Sequence, residues 1–431
     1  MNKVLIITYY WPPAAGAGVF RVLKFAKYLP RFGWKPIILT VKNGEYPATD
    51  HSLESEIPRE SVVYNSRMYE PADLYKKFTG MPENEAVLNA VLTQKKQNWR
   101  MGISHWIRLN VFIPDAKIGW IPGGIKRGTE IIRKHKPDIL FSTSPPPTVH
   151  LIARWLATHH HIPWVADFRD PWTNIYYYDQ NPRSALSEKI DVYLEKKVLE
   201  SARAVTAVNN GFFSQSQRLL EKCRRIPNGY DPDDMPDRIN EKPNEKFTIR
   251  YMGSLKRRQY VDSFFGILEE LSAEEPWRSS VKVDFIGRLD PEIIQRVKDK
   301  DIALEINFLG YQEHSDAIQS IAAADLLLMI IGRSDQAQNI LLSKLFEYLM
   351  VGNPILAYGP PEGDASAVLS ETSAGEMFNY DDYEGAQKYI VKEFERWKKG
   401  EGMPGIRQGK VDEYSRRSLT EKLTEIFEEV L

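Results

Sequence analysis

Two charged residues, Lys344 and Glu347, stand three apart in the apolar helical part of residues 325–361, DLLLMIIGRSDQAQNILLSKLFEYLMVGNPILAYGPP. Its pattern predicts a buried strand over Leu326–Ile331, a polar loop over Gly332–Asn339 and a helix over Ser343–Val351. Gly352 falls where a helix C-cap glycine belongs, and Pro354 precedes a further buried strand, Ile355–Ala357. Leu342, Leu345, Phe346, Leu349 and Met350 leave little of that helix free for water. A carboxylate set among them is costly unless something hydrogen-bonds to it. The two adjacent hydroxyls of a ribose would do so, because an ionised carboxylate offers two acceptor oxygens at matching separation. A surface Glu347 paired with Lys344 one turn away is the other reading, and the stretch alone leaves both open.

Anion-friendly loops accompany this pair. Gly253-Ser254-Leu255 closes a predicted strand, Thr248–Met252, and runs into Lys256, Arg257 and Arg258. Asn339, Ile340, Leu341 and Ser343 lead into the helix, whose first amides would face a ligand. Cations beside a helix N-terminus can hold a diphosphate and stabilise its charge as it departs; a solvated basic turn is the plainer account of Lys256–Arg258. Other chemistries find no support. His159, His160 and His161 are consecutive, so their side chains diverge where metal ligands on a helix need a spacing of three or four. Asp231, Asp233 and Asp234 read as turn residues, and neither GxSxG nor a P-loop occurs. No metal site and no cofactor are expected.

The elements that must position these residues come in a βα rhythm. With 431 residues the chain exceeds one ordinary core, and two domains are expected. Its 42% apolar and 27% charged residues are those of a soluble globular protein, and a net charge of -1 gives no pull toward nucleic acid. The single Cys223 fits a reducing compartment, and no run approaches the roughly 20 apolar residues of a membrane span. A strand over Val4–Tyr9, a loop with Pro12, Pro13, Gly16 and Gly18, a helix ended by Gly33 and a strand over Pro36–Thr40 make one βαβ unit. Its loop lacks the third glycine of a dinucleotide fingerprint, and no acid ends the second strand. Residues of about 45–124 read as an insertion. Within it, basic and aromatic side chains over 74–112 fit either a lipid-headgroup surface or a helical hairpin packed on the domain. Strands at Asp138–Ser142, Trp164–Asp167 and Ala204–Val208 continue the first domain to residue 231, followed by a polar linker over 232–246. The second domain, 247–410, repeats the alternation, and an amphipathic helix over 411–431 is expected to pack across both. Such doubly wound α/β halves place their ligands at the carboxyl ends of strands.

Taken together, YYWPPAAGAGVFR, ADFRDPW, RIPNGYD, YMGSL and SKLFEYLMVGNPILA, in this order, resemble the GT-B glycosyltransferases, specifically the large retaining group that uses nucleotide-diphosphate sugars. The resemblance implies two Rossmann-like domains facing each other across a cleft. Glu347 matches the family's ribose-binding glutamate; Gly16, Gly18 and Arg21 match the N-terminal loop and the arginine after it. Asn228 falls in the turn before the second domain, and Gly253, Ser254 and Arg258 fall where the family holds the diphosphate. Three positions depart from the pattern. A second family glutamate is Asn339, a diphosphate-loop lysine is Gln259, so that Arg258 or Lys344 must supply the charge, and a histidine gives way to Ser144-Pro145-Pro146.

The implied reaction moves a sugar from a nucleotide-diphosphate donor to an acceptor hydroxyl with retention and without a metal. A retaining hydrolase would show two flanking carboxylates; here Asp170 or Asp167, with Arg169 between them, offers one acid for the acceptor side, unless the three form an ion pair at a strand end. By analogy the acceptor is a saccharide or a lipid-linked sugar in cell-surface polysaccharide synthesis, the location cytoplasmic or at the inner membrane face. A sugar-nucleotide epimerase of the same fold, or a binding subunit without turnover, are the competing expectations.

Overall fold

The computed structural model describes residues 1–42, 44–46, 48–69, 106–173, 183–209, 221–236, 244–401 and 408–431. Most of the expected headgroup-facing segment, a helix expected over about 209–222 and part of the expected linker lie outside them. The chain divides into two compact units, one of Met1–Ile226 with Leu419–Leu431, the other of Pro227–Ser418.

The first unit is built on seven parallel strands in the order β3-β2-β1-β4-β5-β6-β7. They are β1 (Asn2–Thr8), β2 (Trp34–Val41), β3 (Val62–Ser66), β4 (Ile139–Ser144), β5 (Trp164–Phe168), β6 (Ala204–Ala207) and β7 (Cys223–Arg225). Helices α1 (Ala17–Tyr28), α2 (Ile121–His135), α3 (Thr148–His160) and α4 (Ala185–Ser201) connect them. Five consecutive buried residues, Val4–Thr8, mark β1 as a central strand covered on both faces. Neither β3 nor α2 was expected: β3 and the start of α2 fall in the span read as an insertion, and the rest of α2 lies between that span and the strand expected from Asp138. β3 pairs with β2 at the sheet edge and only Ser66 of its five residues is buried, so it carries little hydrophobic pattern. The last helix, Arg416–Val430, sends Leu419, Leu423, Ile426 and Phe427 into this unit's core. The Phe427 ring lies 5.1 Å from that of Trp34 and 5.7 Å from that of Phe141.

The second unit repeats the plan with six parallel strands in the order β10-β9-β8-β11-β12-β13. They are β8 (Phe247–Met252), β9 (Val281–Ile286), β10 (Glu305–Gly310), β11 (Leu326–Ile330), β12 (Ile355–Tyr358) and β13 (Gly375–Phe378). Between them run α5 (Asp262–Ser272), α6 (Pro291–Lys298), α7 (His314–Ala322), α8 (Ser343–Val351), α9 (Asp364–Thr372) and α10 (Tyr383–Lys398). Each sheet reverses its winding beside its first strand, between β1 and β4 and between β8 and β11. These are the places where loops part and leave a crevice at strand carboxyl ends. Among the described residues no helix is long and apolar enough to cross a membrane.

Candidate active site

In the second unit the expected residues gather around α8. This helix ends at Gly352, whose backbone is left-handed at φ 82°, and buries Leu345, Phe346 and Tyr348–Val351. Tyr348 locks it to the sheet: the hydroxyl accepts from the Met252 amide (2.9 Å) and donates to the Leu328 carbonyl (3.2 Å), at the switch between β8 and β11. Sequence reading passed over Tyr348; a tyrosine inside so apolar a helix was the available signal, since a buried hydroxyl needs partners.

So anchored, α8 holds Glu347 half-buried and without a hydrogen bond or ion pair to any described residue. Burial pushes its carboxyl above the usual range, against the pull of His314 and Lys344, and Asp234 adds to the rise while Arg416 opposes it. His314 and Asp234 themselves stand 3.7 Å apart. Neither was anticipated, because they are 80 residues apart (314 − 234) and their meeting is a product of the fold. The expected alternative, a surface pair of Glu347 with Lys344, does not form. The Lys344 amine instead sits 4.0 Å from the centre of the Tyr251 ring. It lies against Gly253, where an added Cβ would come within 2.8 Å of it and where φ is +115°, so this loop requires glycine.

The other second-unit candidates are less uniform. Ser254 and Arg258 are exposed, and Asn339, Ile340 and Ser343 are half-buried on the approach to α8, with Leu341 buried beneath them. Leu342, at the start of α8, offers no side-chain cap, and its carbonyl accepts from the Leu345 amide (3.1 Å), so the Ser343 and Lys344 amides are the ones without a partner inside the helix. Gln259, where a lysine was expected, is structural: its amide nitrogen donates to the Ile330 carbonyl (3.1 Å) and its oxygen accepts from the Lys256 amide (3.0 Å). Asn228 is buried, and its side-chain oxygen has no hydrogen-bond partner among the described residues.

In the first unit Gly16 opens α1 at φ +108°, and Gly18 is overlain by the Arg169 guanidinium, which a Cβ would meet at 2.1 Å. Arg169 also holds the exposed Asp170 at 2.8 Å. Arg21 and Asp167 differ from expectation. Arg21 donates to both oxygens of Asp167 (3.0 and 2.7 Å) and to the Ile226 carbonyl (2.9 Å). Thr143 (2.6 Å) and Thr206 (2.7 Å) fill the remaining lone pairs of Asp167. Burial works to raise this carboxyl, yet Arg21 and the threonines hold it below the usual range. With four donors and no exposure, Asp167 has no lone pair left for an acceptor hydroxyl, and Arg21 none of its charge uncommitted; both are structural in this arrangement. Of the three residues at this strand end, Asp170 and Arg169 keep access to solvent. Asp115, which the sequence reading did not single out, caps α3 by accepting from the Thr148 amide and hydroxyl, each at 2.8 Å. Among the described residues no cluster of His, Cys, Asp and Glu could hold a metal.

Comparison with known proteins decides the family. The model of Glycosyltransferase Family 4 matches residues 18–234, half of the chain. The chain belongs to glycosyltransferase family 4. The matched span contains Gly18, Arg21, the Asp167–Asp170 loop and Asn228, whereas Glu347 and Lys344 lie beyond it. A search of curated proteins found no match. Solved structures share the fold of this glycosyltransferase over its full length. Sucrose-phosphate synthase from Thermosynechococcus elongatus is 13% identical, with 100% of this chain and 99% of that one covered and a TM-score of 0.58. Anabaena HepE, solved in complex with UDP-glucose, is 13% identical over 100% of both chains with a TM-score of 0.57. WaaG, a glycosyltransferase involved in lipopolysaccharide biosynthesis, is 14% identical, with 98% and 99% covered and a TM-score of 0.54. The protein is thus a glycosyltransferase of the GT-B type, with two parallel sheets and flanking helices.

Proposed function

We propose that this glycosyltransferase moves a sugar from a nucleoside-diphosphate sugar to an acceptor hydroxyl, with retention at the anomeric carbon and without a metal ion. The observation that carries the reading is Glu347, a half-buried carboxylate with no hydrogen bond or ion pair to any described residue, three residues from a lysine that likewise joins no ion pair among them. A ribose diol would supply the two donors the carboxylate lacks, and the diphosphate would lie against Lys344, the Gly253–Ser254 turn and the uncapped amides of α8. Arg258, exposed to solvent, lies against Gly332 just past β11 and is the further cation proposed for the diphosphate. On the acceptor side Asp170, steered by Arg169, is the accessible acid; Gly18 gives the Arg169 guanidinium its seat, and a Cβ at Gly16 would meet no described atom within 4 Å. Retention rests on the resemblance of the motifs, in which the leaving phosphate helps accept the acceptor's proton.

The UDP-glucose of HepE and the lipopolysaccharide role of WaaG favour a uridine nucleotide and a saccharide or lipid-linked acceptor at the cytoplasmic membrane face. Trp106 (57%) and Val111 (56%), at the described end of the segment expected to meet headgroups, are exposed. A thermal-shift screen against UDP, GDP, ADP, CMP and dTDP tests the nucleotide half. One diphosphate is expected to stabilise strongly, and Glu347→Ala to remove the effect; no stabilisation by any of the five contradicts the reading. Transfer assayed with EDTA present, and the anomeric configuration of the product read by NMR, test the rest.

A further inference from the structure

Lys344 is unusual for a cation at a diphosphate site. Its amine faces an aromatic ring and a glycine, and among the described residues it joins no ion pair. On its own helix the charged neighbour is Glu347, one turn on. From β8 comes Tyr251, whose hydroxyl burial keeps protonated. His314 on α7, Asp234 and Arg416 bear on Glu347. Gln259, where another cation was expected, is neutral and tied to the β11 end. Half-buried against this ring and glycine, with no anion in contact among the described residues, the amine is drawn toward its neutral form: burial lowers its pKa to about 7, against the pull of Glu347.

We propose that Lys344 takes up a proton from solvent as it receives the diphosphate, so that the donor completes the charge of its own site. The inference rests on the nucleotide reading given above. A phosphate oxygen in contact with the amine stabilises the ammonium form, and one N–H bond forms at Nζ for each diphosphate bound. The proton returns to solvent when the nucleoside diphosphate leaves. Above pH 7 the unliganded amine is mostly neutral, so each further pH unit weakens binding by about tenfold until the liganded amine itself titrates. The nucleotide's own phosphate titrates near pH 6, on the other side of this window.

Calorimetric titration of the full chain with UDP, or with whichever diphosphate the screen selects, tests this when repeated in buffers of different ionisation enthalpy. At pH 8 the expected uptake is most of one proton per nucleotide, and at pH 6 little from this group, given an amine near pH 7. Lys344→Met is expected to abolish the uptake and flatten the pH dependence above 7. Lys344→Arg, which is charged throughout, is expected to bind without uptake. Nucleotide binding with no proton uptake at pH 8, or uptake that persists in Lys344→Met, overturns the proposal and leaves the nucleotide site standing. Absence of binding by every nucleotide in the screen overturns both.

Discussion

Each unit sets a carboxylate into apolar surroundings close to its sheet's switch point, and the two are treated in opposite ways. Asp167 in the first unit receives four hydrogen bonds, two from Arg21 and one each from Thr143 and Thr206, and is held ionised below its usual range. Glu347 in the second receives none from any described residue, and burial raises its carboxyl. Desolvation acts on both, so the difference lies in what the fold supplies to compensate. Where the chain supplies every donor, the acid is part of the scaffold. Where it supplies none, the carboxylate is left for a molecule the chain does not contain. Position in the fold does not separate the two; the count of donors does.

The largest effect is expected from breaking the satisfied pair. Arg21→Met leaves a buried, unpaired Asp167 and should lower unfolding free energy by about 3–5 kcal/mol in urea denaturation. The double variant Arg21→Met, Asp167→Asn should recover part of that loss, because no bare charge remains. Tyr348→Phe comes next. It leaves the Met252 amide and the Leu328 carbonyl without their partner, for a cost of about 1–3 kcal/mol, and should weaken nucleotide binding as α8 loosens. Gly18→Ala pushes the Arg169 guanidinium off its seat. Stability should change by about 1 kcal/mol or less, while transfer activity falls at least tenfold; full activity would show that Arg169 does not position Asp170.

The smallest effect concerns pH, and here the two acids have opposite signs. Asp167 titrates below its ordinary 3.8 when folded, so its stabilisation is complete above that pH and is lost as pH falls through the folded value. Glu347 titrates above its ordinary 4.5 when folded, so its contribution is greatest below that pH and declines as pH rises through the folded value. Replacing Glu347 by Gln should therefore flatten stability over the range just above its ordinary 4.5, whereas replacing Asp167 by Asn should lower stability by a constant amount over that range and remove a slope only on the acid side. A Glu347→Gln profile identical to wild type over that window would mean the carboxylate is solvated.

The second unit was the more legible in sequence. Its strands β8 and β11 and helix α8 are each a continuous apolar or helix-period run closed by Gly253, Gly332 or Gly352, and their expected bounds lie within about one residue of those observed. β3 was illegible because an edge strand buries one residue in five. Among site residues, Glu347 was readable as a charge misplaced in an apolar helix. The role of Asp167 was not, because its partners Arg21, Thr143 and Thr206 come from three separate strand or helix ends and only the sheet order joins them. His314 and Asp234 were hidden for the same reason, and Gln259 looked like a lost cation when it is a strut.

The central claim is that Glu347 holds a nucleotide ribose. Titrating UDP, or the diphosphate chosen by the screen, into wild-type and Glu347→Ala protein at pH 7 by calorimetry measures it directly, with urea denaturation confirming that both variants are folded. Loss of two charge-assisted hydrogen bonds predicts at least about a hundredfold weaker binding at nearly unchanged stability. Equal affinities in the two proteins would contradict the account.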